Sequence, residues 1–372
     1  MNKQRITNLL ALTLLAFTLP AQAQDATITM AIDRPGWTIS KYLIGMDTVY
    51  GNELDVLWEN PIVADWMHLE EYISYCREIG DEPMVGINIR PGKQYDRRDE
   101  SPESPASKIY TYKEVDGVKR ELEIHFPENH KSTKEPVPAI ILFHGGGWGG
   151  GERKALRPQC KYFANRAIVA PTVTYRLVTK EDRAAMKGKG SAKSLCIPDV
   201  KSAIRWYKQH ADEFGIDPQR IIVGGGSAGG HISLIGTNNP GLNDPQDPEG
   251  FDTSAVAYVL FNPALSIYDA RDKETDFIQH LSANTAPAIA FFGDQDKWLK
   301  GWKPTYEKWK SLEGTSVEVH IAKGEGHSFF TKQPWRDLTL LAADEFLQKQ
   351  GLLKGEPTLT APEGKKLEFQ TD

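Results

Sequence analysis

The chain has 372 residues, of which 40% are hydrophobic and 25% charged, with a formal net charge of -6. That is an ordinary soluble, globular composition, long enough for one large domain with an appendage or for two modest ones. The small acidic excess and the lack of long Lys/Arg runs exclude nucleic acid and anionic membrane surfaces as main partners.

The first residues read as a targeting segment rather than as fold. Lys3 and Arg5 precede the apolar run LLALTLLAFTLP, and Ala21-Gln22-Ala23 has the small-x-small form of a signal-peptidase site. Residues 1–23 are therefore expected to be a signal peptide. The apolar run is shorter than the ~20 residues of a spanning helix, so the mature protein is expected in a periplasm or beyond, with no membrane anchor.

Residues 24–90 are expected to form an N-terminal extension. Within it, WMHLEEYISYCREIG places Trp66, Leu69, Ile73, Cys76 and Ile79 at helical spacing, and EPMVGINI follows as a strand. Residues 91–107, PGKQYDRRDESPESPAS, mix charge, proline and serine without periodicity and read as a linker.

From 108 to 352 apolar runs alternate with helical segments. PAIILFHGGG, AIVAPTVTYRL, RIIVGGGS, AVAYVLFNP, AIAFFGDQD and SVEVHIAKGEGH are strand-like. DVKSAIRWYKQHADEFG, YEKWKSL and WRDLTLLAADEFLQKQ are helical. Buried parallel strands read as unbroken apolar runs, so the expected fold class is α/β, a doubly wound and mostly parallel sheet. Residues 353–372 read as a mobile tail.

One stretch, IIVGGGSAGGH at 221–231, admits two chemistries. Gly224, Gly226 and Gly229 spell the G-x-G-x-x-G of a dinucleotide turn, whereas Gly225, Ser227 and Gly229 spell the G-x-S-x-G of an exposed nucleophilic serine. The dinucleotide reading wants an acid ~20 residues on, at the end of the next strand. Here Asp244, Asp247 and Glu249 fall before that strand instead. Context therefore favours the serine, and no cofactor is expected.

A serine hydroxyl becomes a nucleophile only when a base removes its proton, and a histidine base needs a carboxylate to fix its tautomer. In α/β folds that use such a serine, the partners follow in the order Ser, acid, His, on loops at the carboxyl ends of strands. AIAFFGDQD ends in Asp294 and Asp296, and SVEVHIAKGEGH ends in His327. His231, four residues past Ser227, is read as a packing or backbone-bonded group, and His320 lies inside a strand. Glycine allows close backbone approach to a developing oxyanion, so Gly146 and Gly147 of FHGGGW, with the N–H of Ala228, are the expected oxyanion hole. His144 is expected to hold that loop.

HGGGW at 144–148, YRL at 175–177, GGSAGGH at 225–231 and the later aspartate and histidine resemble the hormone-sensitive-lipase-like and acetyl esterase/lipase branches of the α/β-hydrolases. The resemblance covers roughly residues 105–350. It implies a serine carboxylesterase acting on short acyl esters, and its pattern, with the acid three residues after the glycine, selects Asp296 over Asp294. Gly226 before the serine and the lack of a proline after YRL point to the acetyl esterase branch. Separately, ISKYLIGMDTVYGNE and the helix and strand after it are similar to pieces of an arabinofuranosidase-type barrel glycosidase. A complete barrel takes ~250 residues, so only a fragment could be present. An exported esterase acting on a small-molecule or glycan acyl ester is the combined expectation. A serine peptidase of the same fold and a non-catalytic carbohydrate-associated protein are the alternatives.

Trp148 and Trp298, near the presumed mouth, could contact substrate or simply pack. DPQDPEGFD lacks calcium-loop spacing and reads as a solvated loop. None of the 3 cysteines has metal-ligand spacing. Cys160 and Cys196 are the natural pair for a disulfide in an oxidising compartment, with two buried thiols as the alternative.

Overall fold

The computed structural model describes residues 107–132, 135–362 and 364–369, together with five short upstream strands. The chain divides into two units, Met1–Arg97 and Arg98–Asp372. The expected signal peptide, Cys76, the predicted helix over 66–79 and nearly all of the expected linker lie outside the described residues.

In the first unit, strands β1 (Ile28–Met30) and β4 (Leu54–Trp58) flank β5 (Val85–Pro91), while β2 (Lys41–Ile44) pairs with β3 (Asp47–Tyr50). β2 lies within ISKYLIGMDTVYGNE, and β5 begins within the predicted strand EPMVGINI. β1 is parallel to β5 but β4 is antiparallel to it, a pairing absent from an all-parallel barrel.

In the second unit, nine strands form one sheet among the described residues: β6 (Ser107–Val115), β7 (Val118–His125), β8 (Val137–Phe143), β9 (Ala170–Val173), β10 (Ile216–Gly226), β11 (Ala257–Phe261), β12 (Ala288–Gly293), β13 (Val317–Ala322) and β14 (Glu368–Phe369). Their order is β14-β13-β12-β11-β10-β8-β9-β7-β6. The six strands from β13 to β9 run parallel, and β6, β7 and β14 join antiparallel. This is the α/β-hydrolase sheet. Its central strands are the unbroken apolar runs seen in the sequence: Ala139–Phe143 and all of β11 and β12 are buried.

Side chains alternate across the sheet, and each face takes its own helices. On one face Ile140, Leu142, Ile222, Val259, Ile289 and Phe291 pack with Cys160 and Phe163 of helix α1 (Arg157–Asn165). Leu340, Phe346 and Leu347 of the last long helix, Trp335–Lys349, complete that layer. The opposite face carries Tyr258 and Phe292, which meet Trp309 and Trp302 of the helix Trp298–Lys310.

The remaining α-helices among the described residues are α2 (Lys180–Met186), α3 (Ile197–Gln209), α4 (Ala211–Phe214), α5 (Ala228–Asn238) and α6 (Phe277–His280); the two already given are α7 and α8. The single helix expected over DVKSAIRWYKQHADEFG breaks at His210 into α3 and α4. Of YEKWKSL, Tyr306–Lys310 form the C-terminal part of α7, which starts two residues after Asp296.

Three sequence readings are decided or refined here. First, Cys160 and Cys196 form no disulfide: both are buried thiols. Cys160 belongs to the α1 layer, while Cys196 precedes α3 and directs its thiol toward the Trp148 carbonyl at 4.0 Å. α3 packs on α5, whose Thr237 bonds Tyr258 on the far face, so the sheet separates the two sulfurs. Second, the chain after residue 352 is no loose tail. Leu353 is buried, Leu359 and Leu367 pack on the core, and β14 pairs with β13. Third, the loop DPQDPEGFD is exposed over much of its length, as expected, but three of its acids are ion-paired. Asp244 pairs with Lys113 of β6 at 2.5 Å, Asp247 with Arg205 at 2.5 Å, and Asp252 with Lys208.

Candidate active site

The glycine run is a strand-to-helix elbow. β10 ends at Gly226, α5 begins at Ala228, and Ser227 between them has φ 52° and ψ -119°. Such backbone costs about 1–3 kcal/mol and persists only where the surroundings enforce it. Here they do. Ser227 N–H donates to Phe261 O at 2.9 Å, while Ser227 O accepts from Ala264 N–H at 3.0 Å and His231 N–H at 3.2 Å. Gly229 lets α5 approach β8, because a Cβ there would overlap the Phe143 carbonyl. The glycines serve contact between helix and sheet, not a phosphate.

Three loops at the carboxyl ends of β10, β12 and β13 bring the predicted groups together. His327 Nε2 lies 2.8 Å from Ser227 Oγ, and His327 Nδ1 lies 2.8 Å from Asp296 Oδ2. A carboxylate at Nδ1 requires that nitrogen to carry the proton, so Nε2 accepts from the serine hydroxyl. Asp296 is buried, and its Oδ1 accepts the N–H of Trp298, which opens α7. Asp294 is exposed and accepts the Gly324 N–H at 2.8 Å, tying the two loops together. Of the two aspartates, Asp296 is the one in contact with the His327 ring.

The loop after β8 lies against this elbow. A Cβ on Gly145 would stand 3.0 Å from Ser227 Cβ. Beyond it Gly146 (φ 128°) and Gly147 (φ 59°) turn the chain through conformations that favour glycine. Ala228 supplies a first-turn N–H beside the nucleophile, where a helix leaves its donors unsatisfied. His144 anchors the loop: its Nδ1 bonds Gly145 O at 2.7 Å and its ring stacks on Tyr175, whose hydroxyl donates to His144 O at 2.7 Å. Burial lowers its pKa from the ordinary histidine value, which favours the neutral ring.

Neither tryptophan offers an open face. Trp148 is 1% exposed and Trp298 6%. Trp148 Nε1 donates to His231 Nδ1 at 3.4 Å, and the Lys193 ammonium sits 4.2 Å from its ring centroid. Trp298 packs edge-on to Trp148 and lies 6.2 Å from the His327 ring. Both are packing groups behind the site rather than a sugar-stacking platform. His231 donates through Nε2 to Thr275 O at 2.9 Å, the backbone-bonded role expected of it.

The BD-FAE family model matches residues 122–266. Thermogutta terrifontis esterase 2 in its apo form is 33% identical with a TM-score of 0.60, covering 68% of this chain and 98% of that one. The same esterase phosphorylated by paraoxon gives 34% and 0.61. The chain belongs to the α/β-hydrolase esterases. Among curated relatives, this α/β-hydrolase is 36% identical over 234 residues to esterase LipC of Mycobacterium tuberculosis, covering 52% of this chain and 54% of LipC. It is 30% identical over 134 residues to the probable carboxylic ester hydrolase LipM of the same organism, covering 36% of this chain and 28% of LipM. The match therefore spans about half of LipC and less than a third of LipM.

Sequence reasoning missed two groups in this α/β-hydrolase. Asn262 follows β11 directly, and its side chain reaches the loop of His327. Its position, first after an apolar strand, was the available signal. Lys193 and Asp269 form a buried ion pair at 2.7 Å beneath Trp148. They lie 76 residues apart, and no local pattern announces them.

Proposed function

We propose that the protein is a serine carboxylesterase acting on short-chain acyl esters. The observation that carries this reading is the continuous hydrogen-bonded chain Ser227–His327–Asp296 at the mouth of a strained elbow. Ser227 Oγ attacks the ester carbonyl while His327 Nε2 takes its proton, and Asp296 stabilises the resulting imidazolium without taking the proton itself. The N–H groups of Gly146, Gly147 and Ala228 receive the negative charge that develops on the carbonyl oxygen. His327 then protonates the leaving alcohol, and water, activated by the same nitrogen, releases the acid and regenerates Ser227.

A short acyl group is supported by one observation, while acetyl rests on the resemblance carried by Gly226 and YRL at 175–177. Structures of Thermogutta terrifontis esterase 2 hold propionate and butyrate. Export rests on the leader-like residues 1–23, and a glycan as the alcohol part rests on the glycosidase-like first segment.

The test is hydrolysis of 4-nitrophenyl acetate, butyrate and octanoate by the protein and by Ser227→Ala, with fluorophosphonate labelling in parallel. Rates falling from acetate to octanoate, and loss of both turnover and label in the variant, are expected. Equal rates in the two proteins would sink the reading. Acetate release from acetylated xylan tests the glycan proposal, and fractionation of expressing cells tests export.

A further inference from the structure

Asn262 is fully buried and is the first residue beyond β11. Its φ of 42° lies in the left-handed region, which asparagine tolerates better than most residues, and its N–H donates to Phe291 O at 2.7 Å, anchoring it to β12. Side-chain Oδ1 accepts the N–H of Ser328 at 3.1 Å, and Ser328 is itself left-handed with φ 64°. That bond orients the amide, so Nδ2 faces His327 Nε2 at 3.4 Å. On either side, Phe261 O and Ala264 N–H hold the two backbone ends of Ser227. Four consecutive residues therefore grip both the nucleophile and the loop of its base.

We propose that Asn262 is a positioning residue for the triad, keeping His327 in register with Ser227 through both ends of its amide; the proposal rests on the serine-esterase reading above. The site needs an acceptor toward Ser328 and an uncharged polar group beside Nε2, whose single lone pair takes the Ser227 hydroxyl. Asparagine meets both needs, whereas aspartate brings a charge and leucine lacks the acceptor.

The charged group in contact with the ring is Asp296. Asp294 and Lys297 on the same loop and Lys323 on the loop of His327 are exposed, and Glu325 is half-buried. The elbow and the Asn262–Ala264 turn contribute no charge. An aspartate at 262 would therefore place the first carboxylate on the Nε2 side of the ring.

The experiment compares kcat/KM against pH for the full chain and for Asn262→Asp and Asn262→Ala, using 4-nitrophenyl acetate, with fluorophosphonate labelling rates. A carboxylate within about 4 Å stabilises the protonated ring, so Asn262→Asp should move the acid limb upward by about one pH unit. Asn262→Ala should leave that limb in place and lower kcat and the labelling rate roughly tenfold at little-changed KM, as loss of orientation does.

An unmoved acid limb in Asn262→Asp, or a parental labelling rate in Asn262→Ala, overturns the proposal. Should Asn262→Asp not fold, the kcat and labelling rates of Asn262→Ala decide alone. If the parent protein neither turns over ester nor takes the label, the serine-esterase reading fails; a fully active parent with indifferent variants removes only Asn262.

Discussion

Asp296 holds His327 Nδ1 at 2.8 Å with one carboxylate oxygen and caps α7 through Trp298 N–H at 3.0 Å with the other. Asp294, two residues earlier, touches neither and bonds the Gly324 N–H instead. Asp296→Asn should leave the loop in place but present an amide to the histidine. The wrong tautomer then follows, and kcat should fall by about 10³–10⁴. Asp294→Ala removes only an exposed loop bond and should cost no more than a few-fold. Initial rates with a chromogenic ester separate the two, and similar losses in both variants would contradict the assignment.

Gly146 and Gly147 both have positive φ but differ in the space around them. A Cβ on Gly146 would overlap the Gly150 carbonyl, whereas one on Gly147 meets nothing within 4 Å. Gly146→Ala must shift the loop and should lower kcat on the order of 10²- to 10³-fold by displacing oxyanion donors. Gly147→Ala carries only the left-handed backbone penalty of about 1–2 kcal/mol. It should keep more activity than Gly146→Ala when the two are assayed side by side.

The Lys193–Asp269 pair is almost wholly buried, with side-chain exposures of 0% and 3%. Removing one charge strands the other, so Lys193→Met should lose about 3–5 kcal/mol of unfolding free energy. Lys193→Met combined with Asp269→Leu removes both charges and should recover much of that loss. Denaturant unfolding of the three proteins tests this, and an additive double variant would refute it.

The C-terminal segment is clamped where Asp344 meets Arg166 at 2.5 Å and Tyr162 at 2.5 Å, with Arg166 also donating to Gly355 O at 2.7 Å. Burial alone would raise the Asp344 carboxyl, but hydrogen bonds from Arg166, Tyr162 and Gln348 outweigh it and hold it below the usual carboxylate range. A depressed folded value means the carboxylate stabilises the fold fully at neutral pH, and that this contribution disappears as acid titrates it. Asp344→Asn should therefore lower Tm at pH 7, by the equivalent of about 3 kcal/mol. The gap from the parent protein should narrow as the pH falls below the ordinary carboxylate range and close once the depressed folded value is passed. A gap independent of pH would show that the charge is not what holds the segment.

With Cys160 and Cys196 on opposite faces of the sheet as buried thiols, a reductant should leave Tm unchanged. Thiol reagents should modify both only on unfolding. For Cys160 burial, then the nearby Glu123 carboxylate, pushes the thiol well above its ordinary value, which further suppresses the reactive thiolate.

Much of this site was legible because its chemistry is carried by residues next to strand ends. Ser227, His327 and the Gly145–Gly147 loop each follow an apolar run whose terminus the period of hydrophobicity locates. The break at His210 and the N-terminal reach of α7 were not legible, since hydrophobic periodicity marks a helix face but not the residue at which the helix starts or stops.

Local pattern sufficed for the sheet, the order of the triad and the elbow, because strand periodicity and glycine stereochemistry act over a few residues. It could not separate Asp294 from Asp296, pair or part the two cysteines, seat Trp148, dock the C-terminal segment or find Asn262. Each of those turns on which side chains from remote segments share one buried volume, and only the packed sheet, with its two helical faces, brings them within bonding distance.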